Sequence, residues 1–169
     1  MHVLITGGTG FIGQALCAAL LQAGHTLSVL TRDPARARSQ VPPAARVLAS
    51  LDEARDVEAV VNLAGEPLMA GRWNTTRKAA FRASRLDTTR ALIAWMARQS
   101  VRPRVLVSGS AIGYYGDTGD RAVTEESPQG SGFLADVVAQ WEAAAQPAID
   151  AGIRVRGANQ GTARRTLVS

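Results

Sequence analysis

At 169 residues, 46% hydrophobic and 20% charged, the chain fits a single domain large enough to bury a core, and no stretch approaches the ~18 apolar residues of a membrane span. Its net charge of +5 does not point to a nucleic-acid partner: Arg154, Arg156, Arg164 and Arg165 crowd an acid-free final sixteen residues, and the first 153 carry 15 basic against 14 acidic side chains. The lone Cys17 excludes an intramolecular disulfide framework, and Met1 and His2 lead straight into Val3-Leu4-Ile5 without a secretory signal, so a cytoplasmic protein is expected.

Short apolar runs alternate with longer segments of helical period along the chain. Val3 to Ile5 is the first predicted strand. After a glycine turn, Ile12, Ala15, Leu16, Ala19, Leu20 and Ala23 recur at three- and four-residue spacing, and Gly24 stands where a helix C-terminal glycine belongs. Strands are predicted at Thr26 to Leu30, Arg46 to Leu48 and Glu58 to Leu63, with Asp33 to Pro43 a surface segment holding at most a short helix. The spacing of Leu86, Thr89, Leu92, Ile93 and Met96 predicts a long helix over Asn74 to Gln99. A fifth strand follows at Arg104 to Ser108, then a Gly-, Asp- and Ser-rich loop from Gly109 to Gly132. A helix from Phe133 to Ala151 ends at Gly152, and a sixth strand begins at Ile153 to Val155. Successive βα units of this kind predict an α/β fold, a doubly wound parallel (Rossmann) sheet, with ligand beyond the strand C-termini.

The most informative stretch follows the first strand: Thr6-Gly7-Gly8-Thr9-Gly10-Phe11-Ile12-Gly13. Gly7 permits a sharp turn, Gly10 lets backbone approach a pyrophosphate, and Gly13 lets the helix pack closely. Free N–H groups from Thr9 to Ile12 at the helix start would face the diphosphate, where the helix dipole also favours negative charge. At the end of the second strand the chain reads Leu30-Thr31-Arg32-Asp33. Arg32 can pair with a 2′-phosphate that an acid would repel, so NADP is favoured over NAD, and Asp33 keeps NAD open as the alternative.

Four segments together resemble a family: Thr6 to Gly13, Val61-Asn62-Leu63-Ala64-Gly65-Glu66-Pro67, Gly71-Arg72-Trp73, and Ser108-Gly109-Ser110-Ala111-Ile112-Gly113-Tyr114-Tyr115-Gly116-Asp117. They are similar to atypical extended short-chain dehydrogenases of the NAD-dependent epimerase/dehydratase type, from Met1 to about Val155. The resemblance implies NAD(P)-dependent oxidoreductases or epimerases, with Asn62, Leu63, Ala64 and Gly65 beside the adenosine half of the cofactor. It also implies that Ser110 polarises a substrate oxygen. The family's Tyr-x-x-x-Lys pair falls here on Leu134 and Val138, which cannot transfer a proton, and Arg85 replaces a usual asparagine. Tyr114 or Tyr115 is the candidate replacement donor, its pKa lowered if Arg85 is adjacent.

Other residues invite blander readings. Cys17 lies within an Ala-Leu helix face and is expected in the core. His2 and His25 flank strands without a Cys, His or carboxylate cluster, so no metal site is expected. Trp141 and Glu142 read as a helix-packing pair, and Trp73 as a candidate for the substrate mouth. Past Val155 the family pattern stops, and Arg156 to Ser169 reads as a disordered basic tail, the signature expected of a reading-frame shift or a truncated gene model. Most of the usual C-terminal substrate portion is then missing, and the substrate is not identified by the residues present. Three functions follow: an NADP-dependent oxidoreductase or epimerase, a nucleotide-binding or redox-sensing module without turnover, and an inactive fragment. Homodimer formation stays open.

Overall fold

The structure is a computed structural model that describes residues 1–69 and 71–159. Six strands form one sheet in the order β3-β2-β1-β4-β5-β6. They are β1 (His2–Thr6), β2 (Thr26–Leu30), β3 (Arg46–Leu48), β4 (Ala59–Asn62), β5 (Val105–Ser110) and β6 (Arg154–Asn159). Every pairing is parallel. The helices are α1 (Phe11–Gln22), α2 (Pro34–Ala37), α3 (Thr75–Ala97), α4 (Phe133–Ala145) and α5 (Pro147–Asp150). The chain winds outward from β1 to β3, returns to the other side of β1, and continues from β4 to β6. The reversal between β1 and β4 opens a crevice beyond their C-terminal ends, where open α/β sheets bind ligands.

A parallel sheet is covered on both faces, and residue alternation along each strand sorts the two cores. Leu4, Val60, Leu106 and Val155 face α3 to α5, meeting Leu92, Ile93, Met96, Ala145 and Ala148. Val3, Ile5, Leu27, Val29 and Val61 face the α1 side and pack around Cys17 and Val41. Cys17 is fully buried, as expected, and burial raises its thiol pKa.

Three boundaries differ from the sequence expectation for physical reasons. The predicted helix over 133–151 is two helices, because Pro147 supplies no N–H and starts a new turn at α5. β5 runs on to Ser110, and β6 runs on to Asn159, the two extensions pairing at Gly109↔Ala158 and Ser110↔Asn159. The first four residues assigned to the tail are therefore strand. Their polar composition hid them because strand pairing is made by backbone. The rest of the expected tail, residues 160–169, lies outside the described residues. The helix face expected on α1 is also shifted: Gly13 and Cys17 are its buried residues, with Leu16, Leu20 and Leu21 packed beside them.

Candidate functional site

The glycine turn takes the form its spacing predicts. Gly7 has φ +73°, and a Cβ there would lie 2.6 Å from the Leu63 carbonyl group. A Cβ on Gly13 would lie 2.2 Å from the Gly7 carbonyl oxygen, so α1 approaches the turn at a distance only glycine allows. Gly10 is the N-cap of α1 and no side chain caps the helix. The Gly10 N–H, expected to be free, donates to the Gly7 carbonyl at 3.0 Å, so the N–H groups available to a ligand are those of the first turn of α1 after Gly10. Thr9 and Gly10 line a cavity of about 1010 Å³ at the C-terminal edge of β1, β2 and β4. Phe11 and Ile12, also expected at the cofactor, do not line the cavity, and the Phe11 side chain is 96% exposed.

Arg32, Asp33 and Arg36 line the cavity's far end, together with Ser50, Leu51 and Asp52 after β3. Asp33, the residue that kept NAD open, is occupied: its Oδ1 accepts the Arg36 N–H at 3.0 Å and caps α2. Arg32 instead reaches across the crevice to Glu66, Nη2 to Oε1 3.1 Å. Neither Glu66 nor Arg36 was singled out from sequence, although Glu66 sits inside the quoted Asn62 to Pro67 motif.

Of the four residues expected beside the adenosine, Leu63, Ala64 and Gly65 line the cavity and Asn62 does not. Asn62 is fully buried. Its Oδ1 accepts from Thr6 Oγ1 at 2.7 Å and its Nδ2 donates to Thr89 Oγ1 at 2.8 Å. Trp141 Nε1 also donates to Thr89 Oγ1, at 3.1 Å, and Thr89 donates onward to the Arg85 carbonyl at 2.7 Å. This tie between β1, β4, α3 and α4 fixes the crevice rather than touching its contents. A threonine on the otherwise apolar face of α3 was the available sequence signal, since a buried hydroxyl needs a partner.

Arg85 joins the turn after β4 to α3. Its guanidinium stacks 3.6 Å over the Phe81 ring centroid and donates to the Phe81 and Glu66 carbonyls at 3.1 and 3.2 Å. Burial lowers its pKa to about 10, while the Glu66 charge opposes the shift, so it stays a cation at neutral pH. Its guanidinium ties the Gly65–Glu66 turn to α3. Gly65 makes room for it: a Cβ there would meet the Arg85 guanidinium carbon at 2.8 Å.

Ser110, at the end of β5, is 2% exposed, and its Oγ donates to Glu142 Oε1 of α4 at 2.5 Å. Glu142 is therefore Ser110's partner, while Trp141 does the packing, its ring against Gly109. Tyr115 is buried and its hydroxyl donates to the Thr124 carbonyl at 2.7 Å. That hydrogen bond pins the following loop. Tyr114 packs edge-on against Tyr115, centroids 5.5 Å apart. Leu134 and Val138, at the Tyr and Lys positions of the family pattern, lie 3.6 and 3.9 Å from where a Gly113 Cβ would stand. Trp73 packs edge-on against Phe81 and Phe133 at 5.3 and 5.8 Å, under the Arg77 guanidinium. Among the described residues no cluster of His, Cys, Asp and Glu is arranged for a metal, and no helix is long and apolar enough to cross a membrane.

Residues 3–137 match the model of the NAD dependent epimerase/dehydratase family. The chain belongs to that family. Within it, the epimerase family protein MT2273 of Mycobacterium tuberculosis is 40% identical over 162 residues, which are 90% of this chain and 50% of that protein. The crystal structure of human epimerase family protein SDR39U1 with NADPH aligns with a TM-score of 0.78 at 33% identity, covering 93% of this chain and 52% of that one. A nucleoside-diphosphate sugar epimerase from Corynebacterium glutamicum aligns with a TM-score of 0.74 at 36% identity, covering 94% and 33%. The chain thus spans about half the length of the curated epimerase-family relatives it matches.

Proposed function

We propose that this chain is the NADP(H)-binding half of an oxidoreductase or epimerase that acts at a carbinol or carbonyl carbon. The observation that carries the reading is the uncapped N-terminus of α1 at Gly10, opening on a cavity whose far rim presents Arg32. The diphosphate fits at the first and a 2′-phosphate at the second, and the NADPH in the human relative supports the same choice. When bound, the nicotinamide gives or takes the hydride. The protein's part is to hold the nucleotide on the glycine turn and to place a proton-bearing group at the reacting oxygen. Ser110 is the candidate for that position. Its hydroxyl is directed at Glu142 and the side chain is buried, so in this role it must turn from Glu142 to donate to the substrate oxygen. A cytoplasmic setting completes the reading, in keeping with a free, buried Cys17.

A second reading, nucleotide binding without turnover, is favoured by one feature: apolar Leu134 and Val138 stand where the family's proton-transfer pair would be. Calorimetric titration with NADPH and NADH, followed by a carbonyl-substrate screen, separates the two. NADPH is expected to bind roughly tenfold tighter than NADH or better, with Arg32→Ala removing the difference. An unchanged ratio in Arg32→Ala would overturn the assignment to NADP. If a substrate is found and Ser110→Ala turns it over at the parent rate, Ser110 has no place in the chemistry.

A further inference from the structure

Arg32 is not waiting free for a phosphate. Its guanidinium is held by Glu66 at 3.1 Å across the crevice, and both residues line the cavity. The two ends of this pair are anchored unequally. The Glu66 backbone is fixed on both sides, its N–H donating to Ser84 Oγ at 2.9 Å and its carbonyl accepting from Arg85 at 3.2 Å. The Arg32 side chain is 91% exposed, against 30% for Glu66. Glu66 is the partner with the anchored backbone and Arg32 the more exposed one.

Resting on the reading of Arg32 as the 2′-phosphate partner, we propose that Glu66 is a specificity-determining residue that lowers the NADP over NAD preference. It does so in two ways. It occupies the guanidinium edge that the phosphate needs, so binding must first break an ion pair. Its carboxylate then remains in the same crevice as the incoming dianion and repels it. A ribose 2′-hydroxyl makes neither demand, so the unphosphorylated cofactor is unaffected. Asp33 also lines the cavity, but its Oδ1 accepts the Arg36 N–H, and the ion pair with Arg32 is made by Glu66.

The test uses the full chain and two probes that isolate the ribose end, adenosine 2′,5′-bisphosphate and 5′-AMP, titrated calorimetrically at low salt. Glu66→Gln keeps the side-chain volume and removes the charge. It is expected to tighten the bisphosphate roughly three- to tenfold while 5′-AMP stays within about twofold. In an Arg32→Ala background the same substitution should give a smaller gain, because the competition for the guanidinium is gone. Bisphosphate binding that is unchanged or weakened by Glu66→Gln, or 5′-AMP binding that tightens equally, overturns the role of Glu66. If the parent chain shows no preference for the bisphosphate, or keeps it in Arg32→Ala, the reading of Arg32 itself falls. A preference that depends on Arg32 and ignores Glu66→Gln removes only the present inference.

Discussion

Asn62 ties three elements together from behind the cavity. Its amide bridges Thr6 of β1 and Thr89 of α3, and Thr89 in turn holds Trp141 of α4. Each hydrogen bond is between groups withdrawn from water, where a lost partner costs more than the bond contributes net. Asn62→Ala is expected to destabilise the fold by about 2 to 3 kcal/mol in urea denaturation, with Thr6 and Thr89 left short of a partner. A loss under about 0.5 kcal/mol would show that the tie is not holding the crevice. Gly130 makes a similar case by exclusion: a Cβ there would stand 1.9 Å from the Tyr115 carbonyl oxygen. Since the Gly130 N–H also donates to the Tyr114 carbonyl at 2.9 Å, the loop cannot step aside without losing a bond. Gly130→Ala should therefore cost about 2 kcal/mol or more, read as a lowered urea midpoint, and an unchanged midpoint would mean the loop relaxes freely.

At the scale of elements, α1 is the one whose backbone would meet the cofactor in the proposed reading, and its position depends on Gly13. A methyl group at that residue would push the helix off the Gly7 carbonyl and carry the N–H groups of the first turn away from the diphosphate. Gly13→Ala is expected to weaken NADPH at least about tenfold, out of proportion to any change in thermal stability. Equal binding by Gly13→Ala and parent protein would detach the turn from cofactor recognition. The glycine turn was legible in the sequence because its requirements are local: a positive φ at Gly7 and a close approach at Gly13 are written in adjacent residues. The face of α3 was equally legible, since Leu86, Leu92, Ile93 and Met96 contrast with polar neighbours, and all four are buried. The face of α1 was not, because a helix rich in alanine and leucine shows little contrast between inside and outside. The contacts of Asn62, Arg85 and Tyr115 were not legible either, for a different reason. What each of them does is set by partners distant in sequence, Thr89 at 27 residues, Glu66 at 19 and Thr124 at 9, and spacing along the chain does not report those contacts.

For the whole molecule, the winding of the sheet decides where ligand binding and folding stability meet. The crevice lies between β1 and β4, and those two strands contribute to both cores: Leu4 and Val60 to one, Val3, Ile5 and Val61 to the other. A nucleotide bridging the α1 turn and the loop after β4 would join segments that packing already holds at the centre, and global unfolding would have to release it. Ligand that binds only the folded chain stabilises it by mass action, about 2.7 kcal/mol at a hundredfold excess over Kd. For a domain of this size each kcal/mol raises Tm by roughly 2–4 °C, so saturating NADPH should raise Tm by roughly 5–11 °C. NADH at the same concentration should give a smaller rise, and Arg32→Ala should bring the two curves together. A thermal melt followed by intrinsic tryptophan fluorescence is well placed to read this, because Trp95 and Trp141 are buried beside the sheet at 4% and 2% exposure. Equal shifts with the two nucleotides in the parent protein would remove the discrimination assigned to Arg32, and no shift with either would refute nucleotide binding by this chain.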